Sequence, residues 1–300
     1  MYNHTFAGIG TLTAGADYMR DYLMSYQFAG DQSHIQNSAD GFIQFDWDPS
    51  PHWNLIGGLR YDYFSASSKS RLSAKIGVMY KLNGWRFRTS YAGGFRAPSL
   101  KELFMHFNMA NVFTIYGNKN LKPENSDNFQ ISAEYTHRNY SFSANAFHNI
   151  FRNRISTAWN TALNGMNYLN TAKVRITGLD INAQTRFLCG ISLTASYVYT
   201  HENIPMGQPY TSSTRPHSAV LRADYDHNFR TWGFNVALTG RYLSKLSIDQ
   251  YTSATSYTQT QRVTYPDYQI WKLTAMGRLN RGVRLTMTVD NIFNYNPSYY

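Results

Sequence analysis

Three hundred residues with 43% hydrophobic content are enough for a large core, yet only 15% are charged while 24 are Tyr, 18 Phe and 6 Trp. That balance favours β structure and surfaces that meet something other than water. With a mean hydropathy of −0.45 and no run of about 20 apolar residues, a bundle of membrane helices is excluded, but a chain of strands that face lipid on one side is not.

The net charge of +10 is spread along the chain rather than gathered on one helix or patch, which argues against a nucleic-acid surface. It fits either ordinary solvated surface or a basic lumen or mouth that attracts anions. The opening "MYNHTFAGIG" has neither the basic nor the apolar region of a signal peptide. The expectation is therefore that an exported form would begin upstream of Met1.

Period-two alternation then dominates. In chain order it predicts about thirteen strands, near 9–28, 39–48, 53–66, 71–82, 85–94, 126–138, 140–158, 167–187, 191–204, 215–228, 232–246, 266–279 and 283–293. In "RLSAKIGVMYKL", Leu72, Ala74, Ile76, Val78, Tyr80 and Leu82 share one face, opposite Arg71, Ser73, Lys75 and Lys81. "WRFRTSY" sets Trp85, Phe87 and Tyr91 against Arg86, Arg88 and Ser90. In "VRLTMTVD", Val283, Leu285, Met287 and Val289 oppose Arg284, Thr286, Thr288 and Asp290. Only a strand between two different solvents keeps such a pattern. Several runs exceed the five or six residues or so of globular strands and reach the roughly nine to eleven of a tilted membrane strand.

The connections alternate as well. "PSPH" (49–52), "NG" (83–84), Asn139, "LCG" (188–190), "FRT" (229–231) and "NRG" (280–282) are tight. Between them lie 29–38, 95–125, 159–166, 205–214 and 247–265, with 67–70 the one short exception. Loops so segregated have a cause in an antiparallel transmembrane barrel, with short turns on the periplasmic side and long loops outside. A soluble β protein offers no such cause. An odd strand count and two unpaired edges in lipid are untenable for a closed wall. The expectation is thus a partial barrel over 1–300, with strands missing before Met1 and at least one after Tyr300.

At "FRAPSLKELF" (95–104) the chain resembles the FRAP box of TonB-dependent outer-membrane receptors, in the form common among Bacteroidetes: Phe95, Arg96, Ala97 and Pro98. "IYGNKNLKPENSDNFQISAEY" (115–135) is similar to the companion NPNL box, with Asn118, Asn120 and Leu121 in place and Lys119 where proline is usual. "VRITGLDINAQ" (174–184) and "VDNIFNYNP" (289–297) resemble further barrel segments of the family. The resemblance implies a barrel of about 22 strands filled by an N-terminal plug that lies outside this chain. It also implies import, energised through TonB, of a scarce ligand: haem, an iron–siderophore complex, cobalamin or a glycan. A passive porin is the competing reading from another class. Outer-membrane lipid or lipopolysaccharide, and a surface lipoprotein, are further partners it implies, in a Gram-negative outer membrane.

Catalytic motifs are missing: the sequence holds no HExxH, CxxC or nucleotide-binding glycine run. The reading is therefore a non-enzyme with no intrinsic cofactor. Cys189, the single cysteine, is read as structural. The topology puts His34, His106, His201 and His217 near the extracellular end, and His52, His137 and His227 near the other. In haem receptors of the family a histidine between the two boxes ligates haem iron, and His106 matches it, with Met109 instead of it or beside it. Phe107, Phe113 and Tyr116 form a candidate aromatic platform. Arg96 is expected to pair with Glu102 or Glu124 rather than to touch ligand.

Overall fold

The structure, a computed structural model, describes residues 1–28, 33–279 and 282–296. Along the chain lie β1 (Tyr2–Phe6), β2 (Gly10–Met24), β3 (Ser33–Ser50), β4 (Trp53–Phe64), β5 (Lys69–Leu82) and β6 (Trp85–Arg96), then α1 (Leu100–Phe104), β7 (His106–Met109) and β8 (Phe113–Tyr116). They are followed by β9 (Glu124–His137), β10 (Tyr140–Arg152), β11 (Ile155–Asn160), β12 (Gly165–Asn170), β13 (Val174–Arg186) and β14 (Ile191–Asn203). β15 (His217–Asn228), β16 (Gly233–Leu243), β17 (Leu246–Tyr251), β18 (Thr260–Tyr265), β19 (Tyr268–Arg278) and β20 (Arg284–Val289) complete the order.

One 14-stranded sheet forms the wall, in the order β1-β2-β3-β4-β5-β6-β9-β10-β13-β14-β15-β16-β19-β20. Every neighbour pair is antiparallel, so each strand returns beside its predecessor. The tight turns consequently all fall on one edge. Asn83 (φ 45°) and Gly84 (φ 86°) make the β5–β6 turn with positive φ at both central positions, the geometry whose twist matches the flanking strands.

Register sorts the side chains. Tyr61 lies opposite Leu72 and Leu59 opposite Ala74, and the same face carries Phe87, Ile131 and Leu221. There Leu72, Ile76, Ile131, Leu221, Leu285 and Met287 are each more than half exposed. Leaving such side chains in water forfeits about 1.5–3 kcal/mol each. Summed over these six, that is comparable to the ~5–15 kcal/mol net stability of a whole domain. This face therefore lies against lipid. Near the tight-turn edge it ends in an aromatic girdle: Trp53 on Tyr80, Trp85 on Tyr135, and Phe229 on Trp232. The opposite face is polar, with ion pairs from Arg60 to Asp40 and Asp62, Arg88 to Glu134, and Arg278 to Asp226.

The structure corrects five expectations. The wall has fourteen strands among the described residues rather than about thirteen, because Tyr2–Phe6 pairs with Gly10–Ala14, so the argument from an odd count falls. The predicted 140–158 strand breaks at Asn153, whose φ of 56° leaves the β region. Likewise 167–187 divides into β12, which joins a different sheet, and β13. Much of the predicted loop 29–38 is the start of β3, which begins at Ser33. Cys189 is exposed in the 187–190 turn and packs no core. Asn280 and Arg281 of the "NRG" turn and Pro297 of the last segment lie outside the described residues.

Candidate ligand site at the loop-bearing edge

On the edge opposite the tight turns, two long connections build a second layer. β7 and β8 form a hairpin, β8 pairs in parallel with β12, and β12 pairs with β11, giving a small sheet in the order β11-β12-β8-β7. Leu103, Leu121 and Ile155 make its buried core, with Phe104 and Tyr168 packed against it.

The turn from wall to loop is set by local chemistry. Arg96 ends β6 and Pro98, fully buried, cannot donate to the ladder. Ser99 then caps α1: its hydroxyl accepts from the Glu102 N–H while the Glu102 carboxylate accepts from the Ser99 N–H at 2.8 Å. Arg96 forks onto two carboxylates. It donates to Glu124 at 2.8 and 2.9 Å and to Glu102 at 3.0 to 3.1 Å. The pairing with Glu124, then the one with Glu102, holds the guanidinium charged more firmly than usual. Burial alone would raise the Glu124 carboxyl, but hydrogen bonds from Arg96 and from the Ile155 N–H, at 2.6 Å, outweigh it and leave it below the ordinary carboxylate range. Glu124 thereby ties the start of β9, the end of β6 and the start of β11 together.

Residues 117–121 close the same turn. The Asn118 N–H donates to the Glu102 carbonyl, and its side-chain amide donates to the Tyr168 carbonyl at 3.0 Å. Its Oδ1 accepts from the Asn120 N–H, and Leu121 is buried in the core. Gly117 crosses so close beneath the end of α1 that a Cβ would sit 2.5 Å from the Met105 nitrogen. Phe95 packs on Phe64, and Ala97 is half-buried. All the motif residues except exposed Asn120 thus act within the scaffold of the mouth.

The candidate contact residues divide. His106 lies opposite Tyr116, their rings 5.2 Å apart, while Met109 lies opposite Phe113 and Phe107 opposite Ile115. Successive strand residues point to opposite faces, so His106 and Tyr116 share one face and Phe107, Met109 and Phe113 share the other. His106 and Met109 are not brought together. Phe107 meets Tyr26, and Phe113 meets Trp159, whose backbone N–H donates to the Tyr257 hydroxyl from a third loop.

Register also separates the histidines. His201 and His217 stand at the loop-bearing edge but on the lipid-side face, the latter bonded to the Tyr197 hydroxyl at 2.7 Å. His34 alternates to the inner face. It stacks on Phe104 at 3.8 Å and meets Phe28 edge-on, while Lys119 lies 5.4 Å over the Phe104 ring. Burial, then the Lys119 charge, lowers its pKa and keeps the imidazole neutral, the form that ligates metal. Sequence reasoning placed His34 at this edge but gave it no role, because its neighbours Phe28 and Phe104 come from different connections. Among the described residues His34 thus faces inward from a wall strand, and His106 lies on the adjoining segment, linked by the His106 N–H to the Gln27 carbonyl and by the Phe28–Met105 bridge.

A wall of this length, apolar outside, polar inside and crowned by folded loops on one edge, defines an outer-membrane β-barrel. Residues 2–292 match the β-barrel model of the TonB dependent receptor-like family, and the chain belongs to that family. It is 28% identical over 191 residues to the "Iron-regulated outer membrane virulence protein" of Vibrio cholerae serotype O1, covering 59% of this chain and 29% of that one. It is 23% identical to the "Heme/hemopexin utilization protein C" of Haemophilus influenzae, over 95% of this chain and 45% of the relative. The siderophore receptor PirA from Acinetobacter baumannii has the same fold, with a TM-score of 0.78 at 17% identity over 97% of this chain and 49% of PirA. The chain thus spans less than half the length of each of these relatives.

Proposed function

We propose that this chain is the greater part of the barrel of a TonB-dependent receptor that imports an iron-bearing ligand, haem or a ferric siderophore, across the outer membrane of a Gram-negative bacterium. The observation that carries the reading is the mouth. Two connections fold into one sheet at the loop-bearing edge, which carries the His106–Tyr116 pair, while His34 stacks on Phe104 in the segment that leads into it. The relatives' roles, haem utilisation in one and siderophore reception in another, favour iron over cobalamin or a glycan. A folded mouth of this kind also favours a gated importer over a passive porin.

In this reading "FRAP" (95–98) and Asn118 to Leu121 are the family's two boxes. A plug and a TonB-contacting segment lie outside this chain, and the finished barrel has about 22 strands. TonB supplies the energy, and a surface lipoprotein hands over cargo. His106 is the axial ligand when the cargo is haem, with His34 beside it. The test is a binding panel of haemin, cobalamin and ferric siderophore on the full-length receptor. Haemin is expected to give a Soret shift that His106→Ala abolishes. A shift unchanged in that variant removes His106 from the site, and a receptor that binds only cobalamin overturns the iron reading.

A further inference from the structure

The fold gathers much of the +10 charge onto one strip of the inner face. Register places Lys69, Arg71, Lys75 and Lys81 of β5 on that face with Arg86, Arg88 and Arg96 of β6, and neither strand holds an acid. On β9, β10 and β14 the same face carries no Lys or Arg. From Arg96 to Arg86 the strand runs about 33 Å at ~3.3 Å per residue. At a tilt of ~40° that is about 25 Å along the membrane normal, most of a hydrocarbon core of ~30 Å. The cations therefore line the lumen from the loop-bearing edge to the tight-turn edge.

Between them the strip has a floor of small residues. Its middle inner positions are Ser73 and Gly77 on β5 and Ser90, Ala92 and Gly94 on β6, with Gly58 beside them on β4. Two shallow cavities of about 330 and 450 Å³ lie over this floor. They adjoin, because Gly58 and Ile56, Lys75 and Gly77, and Ala92 and Ser90 are consecutive inner residues of the two linings. Arg60 and Lys75 stand in the cavity nearer the loops, Arg88 in the other. The Lys75 stem lies across Gly58, where a Cβ would sit 3.1 Å from its Cε. Arg60 is taken up by Asp40 and Asp62, and Arg86 and Arg88 by Glu134. Lys69, Arg71, Lys75 and Lys81 make no ion pair among the described residues. Arg71, Lys75 and Arg88 follow one another at about 13 Å along the strands. That is close to the screening length of ~10 Å at about 0.1 M salt, so an anion leaving one cation is already in the field of the next. Arg71 and Lys75 are too far apart to clamp one small anionic group between them, the condition for passage rather than capture.

We propose that this strip is the part of the wall along which cargo moves. It selects iron chelates that carry anionic oxygens, catecholates or the propionates of haem, over neutral trihydroxamates. Arg71 and Lys75 are its specificity-determining residues, acting by the field of a one-sign cleft. The inference rests on the importer reading and deepens it by naming the charge class of the cargo.

The test is initial-rate iron uptake by the full-length receptor in a Gram-negative host stripped of its own iron-chelate receptors, with surface binding measured on the same cells. The probes are haemin, a triply anionic ferric tricatecholate and a neutral ferric trihydroxamate. An anionic probe is expected to bind and enter, and the trihydroxamate to enter about tenfold more slowly or not at all. Arg71→Gln/Lys75→Gln is expected to slow entry of the anionic probe about tenfold while its binding stays within about twofold, since both residues stand on the wall rather than in the mouth. Both side chains are exposed, and Lys75→Gln alone gives the same readout at about threefold should the pair misfold. Equal entry of neutral and anionic probes, or unchanged entry in these variants, overturns the charge selection while leaving the importer standing. Vancomycin sensitivity in the variants alone would mean that the two cations hold a plug in place, and overturns it too. Failure to bind any probe overturns the importer reading, and this inference with it.

Discussion

Arg96 is the point at which the wall and the mouth are joined, and removing it tests that junction directly. In the native chain its guanidinium pairs with both Glu102 and Glu124, whose side chains are only 15% and 22% exposed, while Arg96 itself is 45% exposed. Fully buried charged hydrogen bonds contribute about 1.5–3 kcal/mol and exposed pairs about 0.2–1. Half-exposed pairs to two carboxylates therefore amount to roughly 2 kcal/mol. Arg96→Ala also leaves those two acids facing each other without a cation, which adds to the loss. Because the wall strands keep their backbone ladders, the loss falls on the loops. Amide exchange in 99–123 and 153–170 is expected to accelerate about 30-fold or more, at tenfold per ~1.4 kcal/mol, while β2 to β6 exchange as before. Arg96→Lys keeps the charge but not the fork, and should fall between. Loop exchange within threefold or so of wild type for Arg96→Ala would refute the clasp, since ~2 kcal/mol would then have to be absent.

Gly117→Ala places a methyl group against the backbone of Leu103 and Met105. It should cost about 1–3 kcal/mol of local stability, visible as protease cleavage within 105–120 under conditions where the wall stays intact. His34 carries a pH dependence. Its folded pKa is lowered from 6.5, so below that value the unfolded form binds more protons and the contact weakens. Its stabilisation is present above about pH 6.5 and is lost as pH falls through the lower folded value. Protection factors of the Phe28–Met105 region, relative to intrinsic exchange at each pH, should fall on acidification in the native chain and stay constant over the same range in His34→Phe.

The wall was legible because it answers to one rule. Lipid on one side and water on the other impose period two, and each of the thirteen predicted runs contains a wall strand, although 140–158 and 167–187 also run into strands of the mouth. The fourteenth, "YNHTF", escaped because five residues alternate too briefly to register. The mouth answers to no such period. β12 pairs in parallel with β8 only because the 97–123 and 153–173 connections meet in space. Asn153 and Gly165 read locally as strand interior and loop, and only that meeting gives them their places. The FRAP-like stretch was recognisable as a motif, and Arg96 pairs with Glu102 and Glu124 as the sequence suggested. Its conspicuous cation faces acids of the scaffold, whereas the inner-facing histidine His34 lies in a stretch read simply as loop.

The same register that identifies the wall also constrains what the mouth can do. Of the histidines expected at the extracellular end, His201 and His217 are committed to the lipid-side face by one residue of phase, so no loop movement brings them to a ligand inside the barrel. His34 sits at the inner-facing start of β3, and His106 on a hairpin held to β12 and, through Gln27, to the loop before β3. A ligand that engages both must therefore bear on two elements at once, the start of β3 and the 97–123 connection. The second of these is tied to β6, β9 and β11 by Arg96 and Glu124. Displacing His106 thus strains the junction through which the loop enters the wall. We predict that a load on the mouth reaches the barrel through Arg96, which pairs with Glu102 and Glu124. Arg96→Ala is accordingly expected to leave haemin bound while abolishing the ligand-dependent protection of the Ile155 amide. Protection that survives in the variant would place the coupling elsewhere.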